Sequence, residues 1–134
     1  MKILKIIKYY SHKLLDIISF KPSYSYDQHK LFKKTKRYDI VLAKMPLNYI
    51  KLLDIPVDHR IRPFVIYKKR FNKLYVYYVS SKDISYLKPI KLSKNHYHLD
   101  KDSYLYPDKK YVLKKKHLIK YIDHLNKADI NRNR

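Results

Sequence analysis

No glycine occurs at any of the chain's 134 positions. Glycine is the residue that takes positive φ cheaply and lets two backbones approach closely, so here every tight turn must be built from bulkier residues and every loop must stand further off a bound backbone. Proline and changes in hydrophobic period are therefore the clearest punctuation left in this chain.

The firmest local signal is a hairpin. Arg62-Pro63-Phe64-Val65-Ile66 opens one strand that runs to Lys69, Arg70-Phe71-Asn72-Lys73 forms the turn, and Leu74 to Ser80 forms the next strand, rich in β-branched and aromatic residues. Antiparallel strands joined by a short turn bring their outer ends to one edge of a sheet. Arg62 and the Ser80-Ser81 pair are such ends, where a guanidinium and a hydroxyl can grip one phosphate.

Around the hairpin, Tyr38 to Met45 reads as a first strand stopped by Pro46, and Pro46 to Ile61 as a long apolar connection of the kind that carries function or partner contacts. Short strands are expected at Leu87 to Leu92, Ser103 to Tyr106 and Tyr111 to Leu113, with Asp108-Lys109 turning the last pair. Leu118, Ile119, Ile122 and Leu125 fall on one face of a helix over Lys116 to Asn126. Close-spaced short strands point to a small barrel.

Before the barrel, Ile3, Ile6, Ile7, Tyr10, Leu14, Ile17 and Ile18 recur at helical spacing opposite Lys2, Lys5, Lys13 and Asp16, predicting an amphipathic helix over Met1 to Phe20. Lys13 and Asp16 interrupt any signal-peptide core, and no apolar run is long enough to span a bilayer. The helix suits docking on its own domain or a sister subunit, with a membrane surface as the alternative. A polar linker with a short helical piece near His29 to Lys34 follows, so residues 1–36 form an extension and 37–134 the domain.

The formal net charge of +21 makes a polyanion such as RNA, DNA or an acidic protein the natural class of partner, although a lysine- and isoleucine-rich composition also reflects AT-rich coding. With no cysteine there are no disulfides, thiolate metal sites or thiol nucleophiles, which suits a reducing cytoplasm. His96 and His98 alternate near Asp100 and Asp102, but no fuller ligand set accompanies them, and neither metal nor cofactor is expected.

Tyr38-Asp39-Ile40-Val41-Leu42-Ala43, Arg62-Pro63-Phe64-Val65-Ile66 and Val79-Ser80-Ser81 stand in the order of the Gly-Asp-hydrophobic, Arg-Pro-hydrophobic and Thr-Ser strands of the PemK/MazF-like toxins of toxin-antitoxin systems. The closing stretch from Ser103 through Leu125 resembles that family's final strands and helix. The resemblance implies a mainly β (α+β) fold, a small SH3-like barrel with a C-terminal helix, here with the N-terminal amphipathic helix added. It also implies a homodimeric, metal-independent endoribonuclease of the cytoplasm that cuts single-stranded RNA with the substrate's own 2′-hydroxyl, neutralised by an acidic antitoxin protein. A barrel that kept the fold and only binds RNA or protein is the alternative.

On that resemblance Arg62 is the arginine that stabilises the phosphorane, Ser80 stands for the family's threonine and Asp108 for the PemK branch's aspartate. Pro107-Asp108-Lys109 is also what a plain turn looks like. Tyr106 replaces an arginine of that branch, and Tyr38 and Ile61 stand where glycines are usual. Further RNA contacts are expected from His59, Arg60, Lys68, Lys69, Ser81 and Lys82.

Overall fold

A computed structural model describes residues 23–53 and 60–132. The helix expected over Met1 to Phe20 and the loop residue His59 lie outside the described residues.

The core is a curled antiparallel sheet of six strands: β1 (Asp39–Lys44), β2 (Ile61–Arg70), β3 (Lys73–Ser80), β4 (Ile90–Leu92), β5 (Ser103–Lys114) and β6 (Leu118–His124), in the order β4-β5-β3-β2-β1-β6. Three helices accompany it: α1 (Tyr26–Lys34), α2 (Leu47–Leu53) and α3 (Lys127–Arg132).

Period-two alternation divides the side chains between two buried clusters, one on each face of the sheet. Val41, Ala43, Met45, Phe64, Ile66, Leu74, Val76, Leu113 and Leu118 form the first, covered by Phe32 of α1 and Ile50 of α2. Ile40, Val65, Val79, Ile90, Leu92, Leu105, Leu125 and Ile130 form the second.

The register of β2 with β3 (Phe64↔Tyr78, Val65↔Tyr77, Ile66↔Val76) confirms the expected hairpin. Without glycine its tip places Phe71 at φ 53°, and Tyr38 and Lys88 also take positive φ, at 72° and 51°. Each left-handed non-glycine residue costs on the order of 1 kcal/mol. At Tyr38, standing where the resembled family has glycine, the cost is offset by pairing: its N–H donates to Ile66 O at 2.6 Å, and its carbonyl accepts from Leu125 N–H at 2.7 Å.

Two sequence expectations are corrected. Ser103–Tyr106 and Tyr111–Leu113 are not strands of a hairpin turning at Asp108, but parts of one 12-residue strand, β5. Tyr78 pairs with Tyr106 and Tyr77 with Lys110, so Pro107-Asp108-Lys109 bulges out before pairing with β3 resumes. The helix expected over Lys116 to Asn126 is instead β6, which closes β1 on its second side. Register shifts on that ladder break the alternation, leaving Leu118 in one cluster and Ile122 against the other. The long connection holds α2, and the strand expected from Leu87 begins only at Ile90, after the left-handed Lys88.

The polar stretch before the barrel contributes α1. A capping box starts it, with Gln28 N–H donating to Ser25 Oγ at 3.1 Å and Ser25 N–H to Gln28 Oε1 at 2.8 Å. Gln28 Nε2 donates to Lys116 O at 2.8 Å and Phe32 is 5% exposed, a burial that contributes about 2 kcal/mol.

Candidate functional site

Pro63 lies one residue beyond the last β2–β3 pair, Phe64↔Tyr78. It has no N–H to give a ladder, so the strands part there and leave their ends open. Continuing the register two residues brings Arg62 level with Ser80.

By alternation Arg62 shares the face of Phe64 and Ile66, and its guanidinium carbon lies 4.6 Å from the Tyr78 ring centroid. Tyr78 is edge-on to Tyr111 at 5.9 Å, and Tyr111 to Tyr49 at 4.7 Å, so half-buried phenol rings lead away from the arginine in a row. Burial and its neighbour Tyr78 push the Tyr111 hydroxyl pKa up, against the pull of Arg62. Arg62 Nε is the only buried side-chain nitrogen or oxygen without a hydrogen-bond partner among the described residues. A planar, permanent cation held over a ring with a donor unused is suited to an incoming oxyanion.

Ser80 Oγ accepts from Lys82 N–H at 3.2 Å, which orients the hydroxyl and leaves its own hydrogen free to donate. Asp108 sits exposed on the β5 bulge, and beside it Lys109 Nζ lies 5.4 Å from the Tyr78 centroid and 5.6 Å from that of Tyr106. The bulge thus brings the Lys109 ammonium to the same ring that carries Arg62. Tyr106, where the resembled branch has arginine, is buried; its hydroxyl donates to Lys82 O and accepts from Ile84 N–H at 2.9 Å. It braces the chain after β3 and is not a free acid.

The other expected contacts scatter. Ser81 and Lys82 are exposed beside Ser80, and Lys68 is exposed over Tyr75. Lys69 is engaged elsewhere, its ammonium donating to Phe32 O at 2.6 Å and Thr35 O at 3.0 Å at the end of α1, with burial lowering its pKa. Arg60 donates through Nε to Met45 O at 2.7 Å and faces a different cavity from Ser81.

One cavity borders these strand ends and a second lies at α2. The first, about 460 Å³, is lined by Pro63, Ser81, His98, Lys101 and Lys120, and Arg62 and Ser80 also border it. The charged end of Arg62 nevertheless lies against Tyr78, on the face of Phe64 and Ile66. The other cavity, about 680 Å³, lies at α2 and is lined by Lys44, Arg60, Lys73, Lys114, Lys116 and His117 together with Tyr49, and among the described residues by no carboxylate. His117 is 8% exposed, and burial, then the charges of Lys116, Arg60 and Lys114, hold its pKa down at about 4. Its Nδ1 accepts from Lys114 N–H at 2.9 Å, so the neutral ring carries its proton on Nε2.

The sequence reading missed Tyr78, Lys109 and this cavity. Alternation marked Tyr78 as facing with Ser80, but the cavity's cations come from separate segments with no shared motif. Among the described residues no group of three or more His, Cys, Asp or Glu is arranged to hold a metal, and no helix is long and apolar enough to cross a membrane.

No protein-family model matches the chain, and no curated protein sequence matches it. Among solved structures it is similar to the Mycobacterium tuberculosis toxin MazF-mt6, with a TM-score of 0.54 at 12% identity, covering 69% of this chain and 85% of that one. At that identity the likeness is one of fold, and the curled six-stranded half-barrel is a MazF-like barrel.

Proposed function

We propose that the protein is an endoribonuclease toxin of the PemK/MazF kind, cleaving single-stranded RNA around Arg62. The observation that carries this reading is the guanidinium held 4.6 Å over Tyr78 with a buried, unpaired Nε, level with Ser80 in a MazF-like barrel.

In the proposed reaction a base removes the proton of a ribose 2′-hydroxyl and O2′ attacks the adjacent phosphorus. The bond from phosphorus to O5′ then breaks, and O5′ takes up a proton. The products are a 2′,3′-cyclic phosphate and a 5′-hydroxyl. Arg62 holds the phosphorane as negative charge grows on its oxygens, and Lys109 adds a second positive charge nearby. Ser80 donates to a phosphate oxygen. Asp108, at the exposed bulge, is assigned the base. No step calls on a metal, so cleavage persists in EDTA.

In the same reading the protein is a homodimer of the cytoplasm, and an acidic antitoxin segment neutralises its cationic face. The assignment is tested by incubating purified protein with single-stranded RNA in EDTA, with Arg62→Ala as control. Wild type cuts, and the variant loses on the order of 100-fold or more of the rate. No cleavage would favour a barrel that only binds, and undiminished cleavage by Arg62→Ala would remove Arg62 from the chemistry.

A further inference from the structure

We propose that the cavity at α2, lined among the described residues by Lys44, Arg60, Lys73, Lys114, Lys116 and His117, is a second phosphate subsite that holds single-stranded RNA beside Arg62. Three observations converge on it. Among the described residues its lining charges are all positive, so no described side chain of the lining neutralises them. The neutral His117 ring, fixed through Nδ1 by Lys114 N–H, offers an Nε2–H donor in place of another charge. Tyr49 lines the cavity and begins the ring row through Tyr111 to Tyr78, which ends under Arg62.

Cations that track a backbone beside rings that can stack on bases are how proteins hold single strands. An acidic peptide would use the cations and leave the ring row unused, so the combination favours RNA. Burial first, and then the charges of Lys116, Arg60 and Lys114, hold the His117 pKa down; a bound phosphate supplies negative charge against those cations and moves the titration upward.

The subsite rests on the reading of Arg62 as the cleavage centre for its place along the strand, but its test needs no cleavage. The probe is a fluorescent single-stranded oligoribonucleotide made uncleavable by 2′-O-methylation, titrated against the full chain by anisotropy across a salt series. The double variant Lys114→Ala/Lys116→Ala is compared with Lys88→Ala/Lys94→Ala, which removes the same charge from exposed positions outside the cavity.

The cavity variant is expected to bind about tenfold more weakly. Its dependence of log K on log salt should fall by about 1.4, at roughly 0.7 per lost single-strand phosphate contact. The control pair should change affinity less than twofold. In wild-type protein, which needs no variant to fold, the His117 ring resonances should titrate at higher pH once the oligonucleotide is bound. Equal losses in both pairs, wild-type affinity in the cavity variant, or an unmoved His117 titration would overturn the proposal. So would a poly-aspartate peptide that binds more tightly than RNA with the same dependence on Lys114 and Lys116. Binding through the cavity without any cleavage would remove the assigned activity and leave the subsite standing.

Discussion

At the C-terminal end of β6 and around α3, titratable side chains sit on carboxylates; around His117, just before β6 begins, none does among the described residues. His124 Nδ1 lies 2.8 Å from Asp39, His98 Nδ1 lies 3.0 Å from Asp123, and the Tyr97 hydroxyl donates to Asp129 at 2.5 Å. Partial burial works to raise the Asp123 pKa, yet donation from the amides of His124 and His98 and from the His98 ring holds it low. Burial and the bond to Asp129 push Tyr97 up to about 12. At the other end of β6, burial and neighbouring cations depress His117 instead. The net charge of +21 is thus unevenly placed. Pairing with carboxylates stabilises the fold at one end, and its absence leaves a field for a ligand at the other.

That contrast can be broken from either side. Replacing Asp39, which is 1% exposed and accepts from both Lys36 N–H at 2.9 Å and His124, strands both donors. Asp39→Ala should cost about 3 kcal/mol in urea unfolding. A loss under 1 kcal/mol would mean that the paired end is not structural.

At the unpaired end the signature is pH. A histidine held near 4 when folded and at 6.5 when unfolded binds its proton more readily in the unfolded chain, so stability is full above pH 6.5 and falls as pH drops toward 4. On the order of 2 kcal/mol should disappear over that window, and His117→Gln should flatten it. An unchanged profile in that variant would mean that His117 is not the group that loses stability over this window.

Tyr97→Phe is the smaller probe of the paired end. It removes the donation to Asp129 and the acceptor of Asn126 N–H at 3.1 Å, and should cost about 1 kcal/mol. Phe71→Gly lies outside both regions, at an 83% exposed residue with positive φ. It should raise stability by up to about 1 kcal/mol and leave RNA affinity unchanged. A change in affinity would extend the binding surface to the hairpin tip.

Where the sequence was legible, single-residue alternation was intact. β2 from Phe64 to Ile66 and β3 from Leu74 to Val79 alternate between the two clusters, so their partnership and the facing of Arg62 and Ser80 could be read from spacing. β6 could not, because shifts in its ladder with β1 leave Leu118, Ile122 and Leu125 at intervals that also suit a helix. At β5 the residues of a bulge and of a turn are the same, and only the resumption of pairing at Lys110 separates them. The cation-lined cavity was invisible for another reason: Lys44, Arg60, Lys73, Lys114 and Lys116 converge from distant segments, and each alone is an ordinary lysine or arginine of a basic chain.

The central claim is that Arg62 serves attack by the substrate's own 2′-hydroxyl, and the most direct measurement is the chemistry of the cut ends. RNA treated in EDTA should yield 2′,3′-cyclic phosphate and 5′-hydroxyl termini. A single 2′-deoxy substitution at the cut site should block cleavage, and Arg62→Ala should leave almost no product. Products ending in 3′-hydroxyl and 5′-phosphate, or cleavage that ignores the deoxy substitution, would contradict the account.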